Sequence, residues 1–406
     1  MGSDFVSLNS WTEPGVLYQA GDAAEIVAGG PGDWPRLAAA LERWRGLVGP
    51  STDRPHPVGG AAGFFRYDGS FWFGIYPHFD LITEGRNTDA WRARSRTFPD
   101  AASEPSADGL WRSNLRPEEF EARVRAAQEF IRSGDIYQVN LAQRFETPFA
   151  GNPCRLFERL MDRSPAPGAA FLDTGAGLGM QILSASPELF LRIDGRHIVT
   201  RPIKGTRPRD SDPIRDQQLA YELITDPKEV AELIMITDLE RNDLGRICDY
   251  GSVVVSDLLR LERFPQVFHL VSTVEGDLRV GVDPVAAVAA CFPGGSITGA
   301  PKQRAMEIIA ALEPAPRGLY TGAIGWFGFD GDAAFSMAIR TLVAEGGKLH
   351  FHVGSGITAD SDPAREYRET LHKARGLQLA LEAYREEAGQ NHPDRNSSRK
   401  APAESL

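Results

Sequence analysis

The stretch from Ala169 to Arg201, AAFLDTGAGLGMQILSASPELFLRIDGRHIVTR, decides how the chain is to be read. It contains four short apolar runs, Ala169 to Leu172, Gln181 to Ser184, Leu189 to Ile193 and His197 to Arg201, separated by turn residues such as Asp194-Gly195. Runs of this length, rich in aliphatic and aromatic residues and bounded by Gly, Pro or Asp, read as successive strands. Helical patterns flank them. Pro117 suits the first position of a helix, Glu118 and Glu119 its first turn, and Phe120, Val124, Ala127 and Ile131 its apolar stripe up to Gly134. Asp135 to Phe145 alternates as a strand, and Pro153 to Asp162 reads as a second helix. Strands in close succession between helices indicate an α/β protein of the layered α+β kind with antiparallel sheets, not a doubly wound one.

Working outward, residues 1–110 read as a β-rich scaffold in which Gly59 to Asp68 and Ser70 to Tyr76 are strands joined by a turn and Leu37 to Leu47 is a short helix. Pro99 to Gly109 lacks periodicity and reads as a linker. Residues 117–383 form the region that carries chemistry. Residues 385–406, with Gly389, Asn391, Pro393 and a Ser-Ser-Arg-Lys cluster, read as a disordered tail. The 406 residues are 42% hydrophobic, enough for a large core. With 44 Lys and Arg against 55 Asp and Glu the net charge is −11, so nucleic acid is not an expected partner and an anionic ligand must meet a local basic site. Three separated cysteines, Cys154, Cys248 and Cys291, cannot all pair and suit a reducing compartment. Neither a signal-like start nor a run of about 18 apolar residues occurs. A cytoplasmic protein without a membrane span is expected.

Several stretches could bear chemistry. In Arg201-Pro202-Ile203-Lys204-Gly205-Thr206-Arg207-Pro208-Arg209, one lysine stands between a stiff entry and a glycine, with cations near it in sequence. Such a lysine is a candidate nucleophile if neighbouring cations favour its free amine; otherwise the stretch is a basic turn. Asp226-Pro227 and Asp362-Pro363 each announce a helix, the first with Glu229 and Glu232, the second with Glu366, Glu369 and Lys373 on one side. Glu229 also stands where a capping-box carboxylate belongs. The two pairs are either solvated faces or an all-oxygen site for Mg²⁺. Phe292 to Lys302, FPGGSITGAPK, resembles an anion loop ahead of a helix but lacks the GxxxxGK[ST] spacing. It suits a phosphate or a carboxylate. Leu319 to Trp326 and Phe335 to Leu342 read as paired strands; Arg340 in the latter needs an anion if buried, or lies on an edge. His350 and His352 share a strand face and either bind metal or pack. No GxGxxG or P-loop is present, which disfavours a nucleotide fold.

Taken together and in order, Ser186-Pro187-Glu188, PIKGTRPR, DPKEVAELIMITDLERNDLGR, HLVSTVEG, GGSITGAPK, GLYTGAIG, AIRTL, VGSGI and DPAREYRETLHKA resemble the chorismate-utilising enzymes over about residues 117–383. The resemblance implies one large unit of two β-sheets packed face to face with helices outside. It implies Mg²⁺ held at Glu232 and Glu369, with Glu229 and Glu366 beside them, and substrate contacts at Tyr320, Arg340, Lys373 and the backbone of Gly354. Ser296 and Thr298 would line the ring, Glu188 would be the general acid, and His269 would be an active-site histidine or a packed one.

Two positions separate the members of this family. Those that add water carry a lysine where this chain has Gln138, so ammonia is the implied nucleophile. Members that aminate C4 of the ring, the aminodeoxychorismate-forming ones, resemble this chain in having lysine at Lys204, whereas anthranilate-forming members have a small residue there. Lys204 would attack C2 as the C4 hydroxyl leaves, and ammonia would then enter C4. The product would serve p-aminobenzoate and folate synthesis. Because no cysteine has the glycine-flanked setting of a glutaminase nucleophile, a separate glutaminase subunit is implied. The anthranilate-forming reaction is the alternative within the family. Outside it stand a Schiff-base lyase using Lys204 and a non-catalytic binding subunit.

Overall fold

The four runs between Ala169 and Arg201 form the strands Gly168–Asp173, Met180–Ser186, Leu189–Asp194 and His197–Arg201, but they do not share one sheet. The computed structural model describes residues 4–11, 13–48, 56–99 and 111–390. Its first sheet has ten strands and runs Gly299–Ala300, Gln138–Pro148, Lys348–Ile357, Thr341–Glu345, Met180–Ser186, Gly168–Asp173, Phe5–Asn9, Leu17–Gly21 and Asp80–Ile82, with Arg112–Ser113 added beside Gln138–Pro148. The second, also ten-stranded, runs Ile203–Pro208, Val267–Asp277, His197–Arg201, Leu189–Asp194, Ala333–Met337, Ala323–Gly328, Gly60–Phe65, Phe71–Tyr76 and Glu25–Gly29, with Val254–Arg263 beside Val267–Asp277. The pairings are antiparallel, for example Phe351 against Phe145 and Leu270 against Lys204.

The sheets lie face to face because each strand has apolar side chains to bury inward. Val6, Leu8, Tyr18 and Ile182 from the first meet Phe64, Trp72 and Ile324 from the second. Helices cover the outer faces. Pro153–Arg163 and Pro363–Gln390 place Phe157, Leu160, Leu377 and Leu381 over the first sheet; Trp34–Val48 and Pro284–Cys291 place Leu37, Leu41, Val285 and Val288 over the second. The strands before residue 83 complete the far end of both sheets.

Pro187-Glu188 carries the chain from the first sheet to the second, and Ala338-Ile339-Arg340 carries it back. The two crossings lie side by side. Met337 N–H donates to the Glu188 carbonyl at 3.0 Å, and Ala185 N–H donates to the Arg340 carbonyl at 3.1 Å. Arg340 takes φ +48°, a left-handed conformation that a non-glycine residue holds only where its surroundings impose it. The expected single strand Phe335 to Leu342 is therefore two strands in different sheets. Both halves are buried, so apolar residues stand on either side of Arg340 at the corner.

Other boundaries also move. Leu319–Gly322 is a turn, with Thr321 at φ +60°, and the strand begins at Ala323. The strand expected from Asp135 starts at Gln138 and runs to Pro148. Asp226 caps the helix Pro227–Gly245 by accepting from Lys228 N and Glu229 N, but no capping box closes: Asp226 N–H bonds to Leu223 O, and Glu229 faces Arg207 at 3.6 Å. The helix Pro363–Gln390 extends beyond Tyr384; the rest of the expected tail, and the linker from 100 onward, lie outside the described residues.

Candidate active site

The register of the second sheet brings Glu188 and Lys204 together. Leu189 pairs with Arg201 across a hairpin, which returns Ile203 and Lys204 to the first crossing. Glu188 is 5% exposed, and Ser296 Oγ donates to its Oε1 at 2.5 Å. Burial pushes the Glu188 carboxyl above the usual range, while Ser296 and Lys204 oppose that rise. Lys204 Nζ donates to the carbonyl of the same Ser296 at 3.1 Å and lies 4.0 Å from Glu232 Oε2. One residue of the glycine-rich loop thus touches both the acid and the amine.

The cations adjacent to Lys204 in sequence are not its neighbours in space. Arg201 pairs with Glu262, Arg207 with Asp226 at 2.8 Å and Arg209 with Asp216 at 2.8 Å. Strand alternation and the turn at Gly205, φ +74°, direct them away, and Lys204 faces carboxylates. A Cβ on Gly205 would lie 2.6 Å from Leu223 Cδ1, so the helix before residue 226 fits against the backbone only because the side chain is absent.

The two Asp-Pro helices deliver four glutamates. Glu232 accepts from Gln138 Nε2 at 3.0 Å and lies 3.8 Å from Lys228. Lys228 donates to Glu366 Oε1 at 2.8 Å, and Glu366, 1% exposed, also accepts from Ser361 Oγ at 2.7 Å and from Ser355 Oγ. Glu369 pairs with Lys373 at 2.8 Å, and Lys373 also donates to Gly354 O at 2.9 Å. Burial works against ionisation of Glu369, but Lys373, Lys228 and Lys204 outweigh it and hold the carboxyl down at about 2. The Glu229 carboxyl is raised by burial and then by the charge of Glu232, with Arg207 opposing. Among the described residues, no three His, Cys, Asp or Glu side chains are grouped closely enough to enclose a metal ion.

Around this centre the remaining expected residues divide. Tyr320 stacks on His352 with ring centroids 5.3 Å apart, and burial raises its phenol. A Cβ on Gly354 would stand 2.7 Å from the Tyr320 hydroxyl and 2.6 Å from Asn140 Oδ1, so the bare backbone of Gly354 makes the room that both side chains occupy. His269 shares a hydrogen bond of 2.9 Å with Thr206 Oγ1, and burial, reinforced by the charge of Arg340, takes its pKa down to about 4; it is neutral at physiological pH. Arg340 has no ion pair among the described residues, and the nearby carboxylate that acts on it is Glu188. Thr298, fully buried, turns its hydroxyl into its own loop, onto Gly294 O at 3.1 Å. His350 and His352 are packed and neutral, lowered by burial to about 4 and about 3.

Against this geometry stand three comparisons. A family model described as chorismate binding enzyme matches residues 53–378. The chain belongs to the chorismate-binding enzyme family. An anthranilate synthase component 1 of Haloarcula marismortui is 47% identical over 296 residues, 72% of this chain and 60% of that one. An aminodeoxychorismate synthase component 1 of Bacillus subtilis is 44% identical over 283 residues, 70% of this chain and 60% of the relative. The matched part is thus about three fifths of each of these relatives. The solved anthranilate synthase component I of Streptococcus pneumoniae superposes with a TM-score of 0.70 at 29% identity, covering 92% of this chain and 89% of that one. No helix among the described residues is long and apolar enough to cross a membrane.

Four residues of this chorismate-binding enzyme escape a reading of its sequence. Lys228 lies within DPKEV, and its spacing of four from Glu232 is the available signal. Arg317 and Glu313, also four apart, form a buried pair at 2.7 Å; Arg317 donates to Ile297 O at 3.0 Å and Asn140 O at 2.7 Å and lies over the rings of Tyr67 and Tyr320. Glu240 sits behind the glycine-rich loop with nothing local to mark it.

Proposed function

We propose that the chain is the chorismate-aminating component of an aminodeoxychorismate synthase, which makes 4-amino-4-deoxychorismate from chorismate and ammonia for p-aminobenzoate and folate. The observation that carries this reading is the double contact of Ser296, whose hydroxyl holds Glu188 and whose carbonyl holds Lys204. An acid whose carboxyl is raised by burial and an amine on the same loop residue suit a displacement in which a hydroxyl leaves as a nitrogen attacks.

In this mechanism Arg340, Tyr320 and Lys373 orient the carboxylates of chorismate. The amine of Lys204 bonds to C2, both ring double bonds shift, and the C4 hydroxyl takes the Glu188 proton and departs as water. The lysine nitrogen returns a proton to Glu188. Ammonia then bonds to C4, both double bonds shift back, and Lys204 leaves as the amine, taking the proton that ammonia releases. The balance is chorismate plus ammonia giving aminodeoxychorismate plus water. Glu232 and Glu369, with Glu229 and Glu366 beside them, would hold a Mg²⁺: although no three acids among the described residues close on one point, two carboxylates with water and substrate oxygens suffice for this hard cation, which would neutralise a substrate carboxylate.

Nitrogen would come from a separate glutaminase subunit. In support, all three cysteines are buried, and burial pushes the Cys248 thiol up to about 11 and the other two higher. The second reading, anthranilate synthase component I, is favoured by relatives of that name. Chromatography of products from chorismate, Mg²⁺ and ammonium salts separates the two. Aminodeoxychorismate is expected from the wild type, and a chorismate-minus-water adduct on Lys204 when ammonia is withheld. Lys204→Ala should lose both. Anthranilate as the wild-type product, or aminodeoxychorismate from Lys204→Ala at the full rate, would overturn the assignment.

A further inference from the structure

The loop that carries Ser296 is held from behind by a side chain outside the mechanism above. Glu240, in the fourth turn of the helix Pro227–Gly245, is 3% exposed, and its Oε1 accepts the Gly295 N–H at 2.9 Å. Contact is close on this side: a Cβ on Gly295 would lie 2.6 Å from Leu239 Cδ2 and 3.0 Å from Glu240 Oε1. Gly295, Ser296 and Ile297 make a single 3₁₀ turn, so the orientation of the Gly295 peptide sets where the next residue's hydroxyl and carbonyl point. Those are the two groups on Glu188 and Lys204.

We propose that Glu240 is a positioning residue: its buried carboxylate fixes the Gly295 peptide and so holds Ser296 in register with both Glu188 and Lys204. The inference rests on the roles of those two residues but not on which amino product is made. A carboxylate is a stronger acceptor than a neutral group, by roughly a factor of two in hydrogen-bond strength, and a buried anion is kept only where partners balance it. The charged groups facing Glu240 are Asp243 on its own helix, Lys302 at the start of Lys302–Leu312, and Glu188 on the first crossing; the Cys291 thiol faces it from the end of Pro284–Cys291. Lys302 is itself bound to Asp243 and to Cys291 O at 3.0 Å, so its charge reaches Glu240 without a direct bond. Burial raises the Glu240 carboxyl to about 7 against the pull of Lys302. Protonation below that pH turns the anchor into a neutral acceptor.

The test compares Glu240→Ala and Glu240→Gln with the wild type in kcat, chorismate KM and pH profile, and reads exchange of the Gly295 amide by hydrogen–deuterium exchange. Glu240→Ala leaves the amide without its acceptor and should lower kcat about tenfold or more, with KM unchanged within about twofold and faster exchange at Gly295. Glu240→Gln keeps a neutral acceptor. Its kcat at pH 8 should match that of the wild type below pH 7, with the inflection near 7 abolished and the exchange of Gly295 near normal. Equal kcat in wild type and Glu240→Ala, a Gln variant no better than Ala, or unaltered Gly295 exchange in Ala overturns the proposal. The exchange measurement decides it even if the wild type fails to aminate chorismate, an outcome that would instead remove the functional reading.

Discussion

The helices that begin at Pro227 and Pro363 look alike in sequence and behave differently in the fold. Each follows an Asp-Pro start with two glutamates three residues apart. In the first helix the leading acid, Glu229, stays partly open and the second, Glu232, is 8% exposed; in the second helix Glu366 is 1% exposed, and the side chain of Glu369 keeps 41% of its surface. The cause is an offset. Glu229 stands two residues after its proline and Glu366 three after its own, and one residue turns a helix by about 100°. The start signal therefore aims a helix end at the site, while the register within the first turn decides how deeply each acid is buried and how many protein donors hold it.

If that division is correct, exchanging the acids separates activity from stability. The largest effect is expected at the two acids proposed to hold Mg²⁺: Glu369→Gln or Glu232→Gln should lower turnover by about a hundredfold or more with the fold intact, and excess chelator should do the same to the wild type. Full turnover in chelator, measured by product formation, would remove Mg²⁺ from the scheme. At Glu366 the effect should be structural. Lys228→Met leaves Glu366 in the interior with only its serine donors and should cost about 2 kcal/mol in denaturant unfolding, a figure below that of a fully buried pair because the Lys228 side chain is 35% exposed. No loss of stability would mean that Glu366 is as open as Glu369.

The smallest effect concerns a third acid of the Pro227 helix. Glu240 is raised from 4.5 to about 7, so the folded protein binds its proton more tightly than the unfolded chain does. Its contribution to stability is complete below the unfolded value and declines as pH rises through 7. Glu240→Gln lacks this penalty. It should melt higher than the wild type at pH 8, by the equivalent of ~2 kcal/mol, and the advantage should shrink as pH falls toward 4.5. A gain of stability with a loss of turnover would mark the residue as held for function; an equal gain at every pH would mean that the Glu240 carboxyl titrates alike in the folded and unfolded chain.

Much of this was legible in the chain because local rules and burial agree. The four runs around Ala169 to Arg201, the caps at Asp226 and the proline starts follow from turn chemistry and apolar patterning, and the resemblance supplied Glu188, Lys204 and the glutamates at their positions. What could not be read was direction. Nothing in Phe335 to Leu342 announces a change of sheet, since both sides of the corner are buried. Nothing in PIKGTRPR says that its arginines leave Lys204 for outer acids, because strand alternation and the bend at Gly205 act only once the sheet exists. Arg317, Glu313 and Glu240 gain their roles from residues far away in sequence, which spacing does not report.

The paired crossings have a consequence for how the molecule comes apart. Between Ser186 and Leu189 the chain has two residues with which to pass from one sheet to the other, and between Met337 and Thr341 it has three. Tethers so short leave neither sheet able to peel away alone, and each is hydrogen-bonded through a backbone carbonyl to the strand end beside the other. Glu188 and Arg340 sit on these tethers, so the groups assigned to acid catalysis and carboxylate binding are located at the part of the structure that loosens only when both sheets do. Heat or denaturant should thus abolish the pocket and the sandwich in one cooperative step, with no partly melted form in which one sheet survives around a working site.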